Sequence, residues 1–393
     1  MRRNVPLGKL VTIKSGYSPS TFDLDAKGAI PFVKVEDLNN CEIFQEESRF
    51  YTNDAERAVP AGAVIFPKRG AAIINNKVRI TKRPICMDTN MMALIPNEEI
   101  DADYLYHVIL TEGLFKIADT SSIPQINNKH IYPYRISLPA LKEQKQISAT
   151  FRTWDRGIET VRALTANARA QKKALMQLLL SGKHRLPGFS GEWQRKPINE
   201  ISTRVTRRND GTELPVLTIS STSGFVRQDE KYSRYMAGKS VETYILLNEG
   251  EFAYNKGNSK TYEFGCIFDL EGYERALVPH VYVCFKLKKG YSHRFYKALF
   301  EADYLAPQLG QLVNTGVRNN GLLNIKPSEF LGTRVPVPPL DEQDAIAAVM
   351  EAASRTVTEH QAQLTALRQE KAALMQQLLT GKRRVKLPES EVA

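Results

Sequence analysis

Six short clusters of amide and cationic side chains carry the most usable chemistry in this sequence. The first three are Lys68-Arg69-Gly70, Asn75-Asn76-Lys77 and the stretch holding Gln125, Asn127, Asn128 and Lys129. The others hold Arg204, Arg207 and Arg208; Asn255, Lys256, Asn258 and Lys260; and Arg318, Asn319 and Asn320. Paired donors and acceptors of this kind match the major-groove edges of adenine and guanine, and the cations suit phosphate. Any one cluster also reads as an ordinary solvated loop, since surface loops are polar. What sets them apart is that they fall at comparable places in two halves of the chain.

The familiar catalytic constellations are missing. Asn258-Ser259-Lys260-Thr261 has the tail of a phosphate-binding loop but lacks the glycine spacing whose amides would cradle phosphates, and it reads as a polar turn. There is no G-x-G-x-x-G after a strand, and no Asn-Pro-Pro-aromatic or Asp-Pro-Pro-aromatic tetrad for S-adenosylmethionine chemistry. The histidines show no H-E-x-x-H or comparable spacing, and His360 fits a helical seam better than a ligand role. No catalytic residue, metal or cofactor is expected.

With 393 residues, 42% hydrophobic and 25% charged, the chain has room for two or three separate cores. Cys41, Cys86, Cys266 and Cys284 are scattered without a C-x-x-C pair, which fits a reducing compartment such as the cytoplasm. No apolar core follows Met1-Arg2-Arg3, and no run reaches the roughly eighteen apolar residues of a spanning helix, so export and membrane insertion are not expected. A net charge of +11 suits a polyanionic partner without requiring one.

The elements that must position these clusters follow from an internal duplication. Shifting the chain by 199 residues lays 138–185 on 337–384 without a gap, with 19 of 48 columns identical, where unrelated sequences would give roughly three. Lys172, Ala174, Leu175, Met176 and Gln177 recur as Lys371, Ala373, Leu374, Met375 and Gln376. Fainter echoes precede each block: Gly62, Phe66 and Lys68 share the spacing of Gly250, Tyr254 and Lys256.

Within the second block, Ile346, Met350, Ala353, Val357, His360, Leu364, Leu367, Lys371, Leu374 and Leu378 step by three and four, the seam of a supercoiling helix. The first block keeps the lattice from Ile147 and Phe151 through Ile158 and Val161 to Leu175 and Leu179. Each starts after a proline and stops at a glycine. About forty residues make a rod of roughly 60 Å. Neither rod can bury its stripe alone, so the two are expected to pair antiparallel. Residues 138–189 hold ten cations against three anions, and 337–393 hold seven against eight, so the rods differ in charge.

The remaining segments, 1–137 and 190–336, alternate short β-branched and aromatic runs with Gly, Asn and Pro, and each has a helical stretch near Tyr104–Leu110 or Phe295–Leu299. The expected fold class is α+β: two mixed α/β domains separated and joined by two long antiparallel helices in a coiled coil, with an internal pseudo-two-fold duplication.

The blocks Pro139-Ala140-Leu141-Lys142-Glu143-Gln144 and Leu175-Met176-Gln177-Leu178-Leu179-Leu180-Ser181-Gly182-Lys183, with their second copies from Pro338 and Leu374, resemble the specificity subunits of type I restriction-modification systems. The resemblance covers essentially the whole length. It implies target recognition domains at 1–137 and 190–336, each reading half of a bipartite site in double-stranded DNA. It implies spacer helices at 138–189 and 337–393 that dock two DNA adenine methyltransferase subunits. Translocating restriction subunits complete such a complex, and the chain itself is expected to be no enzyme. Exposed positions shared by the two copies are the docking candidates: Glu143, Gln144, Arg169 and Gln177, with Glu342, Gln343, Arg368 and Gln376. They could equally cap and solvate the helices. A coiled-coil protein whose globules bind peptide, or a stand-alone nuclease or methyltransferase with an unrecognised site, are the competing readings.

Overall fold

The computed structural model describes residues 2–121, 123–231, 242–257, 259–313 and 323–386. The backbone divides into two units, Met1–Arg162 with Ala362–Ala393, and Ala163–Gln361.

The strands of unit 1 are β1 (Arg3–Pro6), β2 (Val11–Ser15), β3 (Ile30–Val33), β4 (Phe44–Gln45), β5 (Phe50–Thr52), β6 (Val64–Pro67), β7 (Arg79–Thr81), β8 (Cys86–Met87), β9 (Met91–Pro96) and β10 (Arg135–Leu138). The main sheet runs in the order β2-β9-β6-β7-β4, a smaller one runs β5-β3-β8, and β1 pairs antiparallel with β10. Val64, Ile65 and Phe66 of the central strand are all buried, which is why that strand reads as a continuous apolar run and not an alternating one. The helix Ala102–Glu112 starts at Asp101, whose carboxylate accepts the Tyr104 amide at 2.9 Å, and it drives Tyr104, Leu105 and Ile109 into the same core.

Unit 2 repeats the plan with β11 (Gln194–Pro197), β12 (Ser202–Val205), β13 (Leu217–Ser220), β14 (Gly224–Arg227), β15 (Ile245–Asn248), β16 (Phe252–Asn255), β17 (Cys266–Asp269), β18 (Arg275–Val278), β19 (Val283–Leu287) and β20 (Arg334–Val337). Its main sheet, β12-β19-β16-β17, has the order of β2-β9-β6-β7, and β11 pairs with β20 as β1 does with β10. Pro6 lies opposite Arg135 and Pro197 opposite Arg334, so the two prolines close equivalent strands. The helix His293–Glu301 stands where Ala102–Glu112 stands in unit 1: the Tyr104 hydroxyl donates to the Ser137 carbonyl and the Tyr296 hydroxyl to the Pro336 carbonyl.

Both repeated blocks are single helices, Leu141–Leu179 and Leu340–Thr380, of 39 and 41 residues. Each unit contains a part of both, and in each unit the parts run antiparallel. In unit 1, Ile158 and Val161 pack with Leu364 and Leu367, while Lys371 pairs with Asp155 and Arg384 with Glu143. In unit 2, Leu179 and Leu180 share a cluster with Ile346, Ala347 and Met350, and Arg169 donates to Gln361 at 3.0 Å. Gly182, just past the first helix, has φ +72, and a Cβ there would lie 2.9 Å from the Trp193 ring, so the stop needs glycine both for its backbone and for its space.

Two carboxylates in unit 1 make its stability pH-dependent. Burial opposes the ionisation of Glu143, but hydrogen bonds from Arg384 and Arg2 outweigh it and hold the carboxyl below its usual range. Burial likewise opposes ionisation of Asp155, but the His107 ring 3.8 Å away and the hydrogen bond from Lys371 outweigh it and hold the carboxyl below its usual range. Groups whose folded-state pKa is depressed add stability above the unfolded value, about 4, and lose it as pH falls through the folded value. Acidification from about pH 6 to about pH 3 should therefore destabilise the wild type more steeply than Glu143→Gln, followed by urea unfolding at each pH. Parallel pH profiles would refute the assignment.

Candidate nucleic-acid interface

The sites form where strands end. In unit 1, β6 delivers Lys68, whose amide donates to the Asn90 carbonyl and whose carbonyl accepts from the Ile126 amide, both at 2.8 Å. Arg69 then bridges Gln125, and the Gly70 amide donates to the Pro124 carbonyl at 2.8 Å. Two clusters more than fifty residues apart in sequence are thereby laid side by side. Arg69, Asn128 and Lys129 are exposed, and the Lys68 side chain is half-buried. Burial lowers the Lys68 pKa, with the Asp88 carboxylate opposing. A partly desolvated ammonium of this kind gains from an incoming anion.

Unit 2 builds the same feature from β16. Lys256 follows the strand end as Lys68 follows β6, and its carbonyl accepts from the Leu323 amide at 3.0 Å. Its pKa is lowered by burial first and by the neighbouring Arg204 guanidinium second. Two like charges at a strand end, one exposed and one half-buried, again favour an anion between them.

Other members of the clusters serve the fold. Asn76 adopts φ +48, donates its side-chain amide to the Leu110 carbonyl at 2.8 Å and accepts the Leu114 amide at 3.0 Å, which locks the helix turn into place. Asn75 caps the short helix Ala71–Ile74, and Lys77 hydrogen-bonds the Asn39 side chain. Asn127 opens the short helix Asn128–Ile131, and its amide donates to His130 Nδ1 at 3.1 Å. Arg207 pairs with the buried Glu251, the Asn255 side chain accepts the Gly257 amide at 3.0 Å, and the backbone of Arg208 bridges Ile245. Lys260 is exposed. Arg204 is read as part of a loop from sequence but lies on β12, because Ser202–Val205 completes the edge of the sheet against β19. Asn258, Arg318, Asn319 and Asn320 lie outside the described residues.

The docking candidates divide by burial. Arg169, Gln177, Arg368 and Gln376 are exposed on the helices. Glu143, Gln144, Glu342 and Gln343 are not exposed as the sequence reading supposes: all four are 3% accessible or less. Gln144 accepts the Asp101 amide at 2.8 Å and donates to the Glu99 and Pro139 carbonyls, each at 2.9 Å. Gln343 repeats this with the Ser292 amide and the Pro338 carbonyl, both at 2.8 Å. Glu342 accepts Arg185 through both oxygens and Trp193 Nε1 at 2.9 Å. Their recurrence in both copies is explained by clamping each long helix to its own globule.

Sequence reasoning passed over the turn at Asp88, Thr89 and Asn90, which sits against Lys68. A signal was present in Gly16: a Cβ there would meet the Asp88 carbonyl oxygen at 1.8 Å, marking a close backbone approach. Among the described residues no helix is long and apolar enough to cross a membrane, and no group of three His, Cys, Asp or Glu side chains is placed to hold a metal.

Comparison with known proteins adds to this geometry. A family model described as the type I restriction modification DNA specificity domain matches residues 3–168. The chain is 25% identical to the EcoR124I/EcoR124II type I restriction enzyme specificity subunit of Escherichia coli over 36% of this chain and 38% of that one, well under half of the relative's length. It is 24% identical to the putative MjaX type I restriction enzyme specificity subunit of Methanocaldococcus jannaschii over 97% of this chain and 88% of that one. The crystal structure of a type I restriction-modification S subunit from M. genitalium superposes with a TM-score of 0.56 at 11% identity, covering 96% of both chains, and shows the same fold. A match to a DNA specificity domain over residues 3–168, relatives that align end to end and the duplicated strand order in both units make the chain similar, over nearly its whole length, to specificity subunits of type I restriction-modification systems.

Proposed function

We propose that this chain is the non-catalytic DNA-reading subunit of a restriction-modification complex working in the cytoplasm. Recognition domains at 1–137 and 190–336 each read one half of a bipartite, asymmetric site in double-stranded DNA. The helices of 138–189 and 337–393 set the unread spacer between the halves and dock two DNA adenine methyltransferase subunits, to which restriction subunits add translocation and cutting. The methyltransferase brings the methyl donor, so this chain needs no cofactor of its own.

The observation that carries this reading is the repetition in both units of one strand order, each ending its central strand in a half-buried lysine beside exposed polar side chains. Related scaffolds with matching lysines and unlike loops suit two related readers of two unlike half-sites. Exposed Arg169, Gln177, Arg368 and Gln376 offer the helical docking positions that remain.

Selection of duplexes from a random pool by the complex assembled with its methyltransferase partner tests the reading. A bipartite preference is expected, and affinity falls steeply with salt as phosphate counterions are released. Exchanging residues 1–137 for those of a relative should change one half-site only. Absence of any sequence preference, or affinity flat in salt, would return the chain to the class of protein-binding coiled coils.

A further inference from the structure

One corner of unit 1 is tied to its neighbours by backbone hydrogen bonds. The Asp88 amide donates to the Val33 carbonyl at 3.1 Å, the Tyr17 amide to the Met87 carbonyl at 2.9 Å, and the Lys68 amide to the Asn90 carbonyl at 2.8 Å. The Asp88 carboxylate accepts the Asn90 amide at 2.6 Å and closes the turn on itself. The side chains of Thr89 and Asn90 are left exposed at its tip, beside the lysine.

Unit 2 places a turn at the same register of the equivalent strands, without the carboxylate that closes the first. Phe66 lies opposite Met92 as Tyr254 lies opposite Val283, and the Met91 amide donates to the Asp88 carbonyl at 3.0 Å as the Tyr282 amide donates to the Pro279 carbonyl at 3.1 Å. Pro279, His280 and Val281 therefore occupy the places of Asp88, Thr89 and Asn90. The lysine at the neighbouring strand end is the same in both units; the chemistry of the turn is wholly different. Hydroxyl and carboxamide are exposed in one, imidazole and an isopropyl group in the other, with Val281 37% accessible.

A shared cation beside divergent tips is the pattern expected where phosphate contacts position the protein and base contacts specify the sequence. Building on the DNA-reading role proposed above, we propose that the turns 88–90 and 279–281 are base-reading elements, with Lys68 and Lys256 as their phosphate contacts. The Asn90 carboxamide has the paired donor and acceptor that fit the N6 and N7 edge of adenine, and the Val281 isopropyl group fits the thymine methyl.

The experiment uses the complex with its methyltransferase subunits and selection from a randomised duplex pool. Asn90→Ala, an exposed change that leaves the turn's backbone bonds intact, should lose about ten-fold of the preference at a single position of one half-site. Val281→Ser should do the same at one position of the other half-site. Lys68→Ala should weaken all sequences alike, leave the preference unchanged and reduce the salt slope by about 0.9. The assignment fails if Asn90→Ala and Val281→Ser keep the wild-type preference at every position, or if either alters both half-sites. A wild-type complex with no preference at all would instead overturn the DNA-reading role itself, so the two failures are told apart by the unmutated control.

Discussion

Leu378→Asp is expected to remove about 5 kcal/mol or more from the stability of unit 1, on the order of its whole margin against unfolding. Leu378 is 2% accessible and shares a cluster with Ile147, Phe151, Tyr104, Met375 and Leu379, so it joins the second long helix both to the first and to the globular core. Truncating a buried leucine costs about 2–5 kcal/mol, and a carboxylate placed there without a partner adds its desolvation. The expected result is loss of the cooperative urea transition of unit 1. Two controls isolate the cause: Leu378→Met should cost less than about 1.5 kcal/mol, and the exposed Gln377→Asp should stay within about 0.5 kcal/mol of wild type. An undisturbed transition in Leu378→Asp would show that the seam does not hold the helices.

Glu342→Ala comes next, with an expected loss of about 3 kcal/mol from unit 2. The carboxylate is fully buried, takes Arg185 through Nε at 2.5 Å and Nη2 at 2.6 Å, and also accepts Trp193 Nε1. Removing it strands, without its counter-charge, a guanidinium that is only 19% accessible and keeps only the Ser190 and Gly191 carbonyls as acceptors, and it leaves an indole N–H without its acceptor. Most of the cost is that stranding, so Arg185→Ala combined with Glu342→Ala should cost less than the sum of the single changes. Additive losses in the double-mutant cycle would mean that the pair contributes nothing as a pair.

The same contrast explains how Glu143 and Glu342 looked like surface positions. A Glu-Gln pair at the start of an amphipathic helix matches the pattern of a solvated first turn. Whether its side chains face water depends on what else occupies that space. Arg2 and Arg384 approach Glu143, and Arg185 and Trp193 approach Glu342, from chain segments that local pattern does not connect to them. Asn76 and Arg207 were misplaced in the same way: polar loop residues in sequence, they bond to the Leu110 carbonyl and the buried Glu251 carboxylate in the fold.

Periodicity and repetition are local or translational properties, so residue order alone determined the two long helices, their seams, their glycine stops and the duplication of the chain. Composition and motif spacing likewise determined which chemistries were missing from the sequence. Strand neighbours, by contrast, are chosen by three-dimensional packing. The echo of Lys68 in Lys256 was legible in sequence, but only the tertiary structure decided that Gln125 lies against Arg69 and that an unremarked turn at 88–90 stands beside a half-buried cation. The physical reason is that β-pairing joins residues far apart in sequence through backbone bonds that any side chain can make, so the identity of the residues says little about which of them meet.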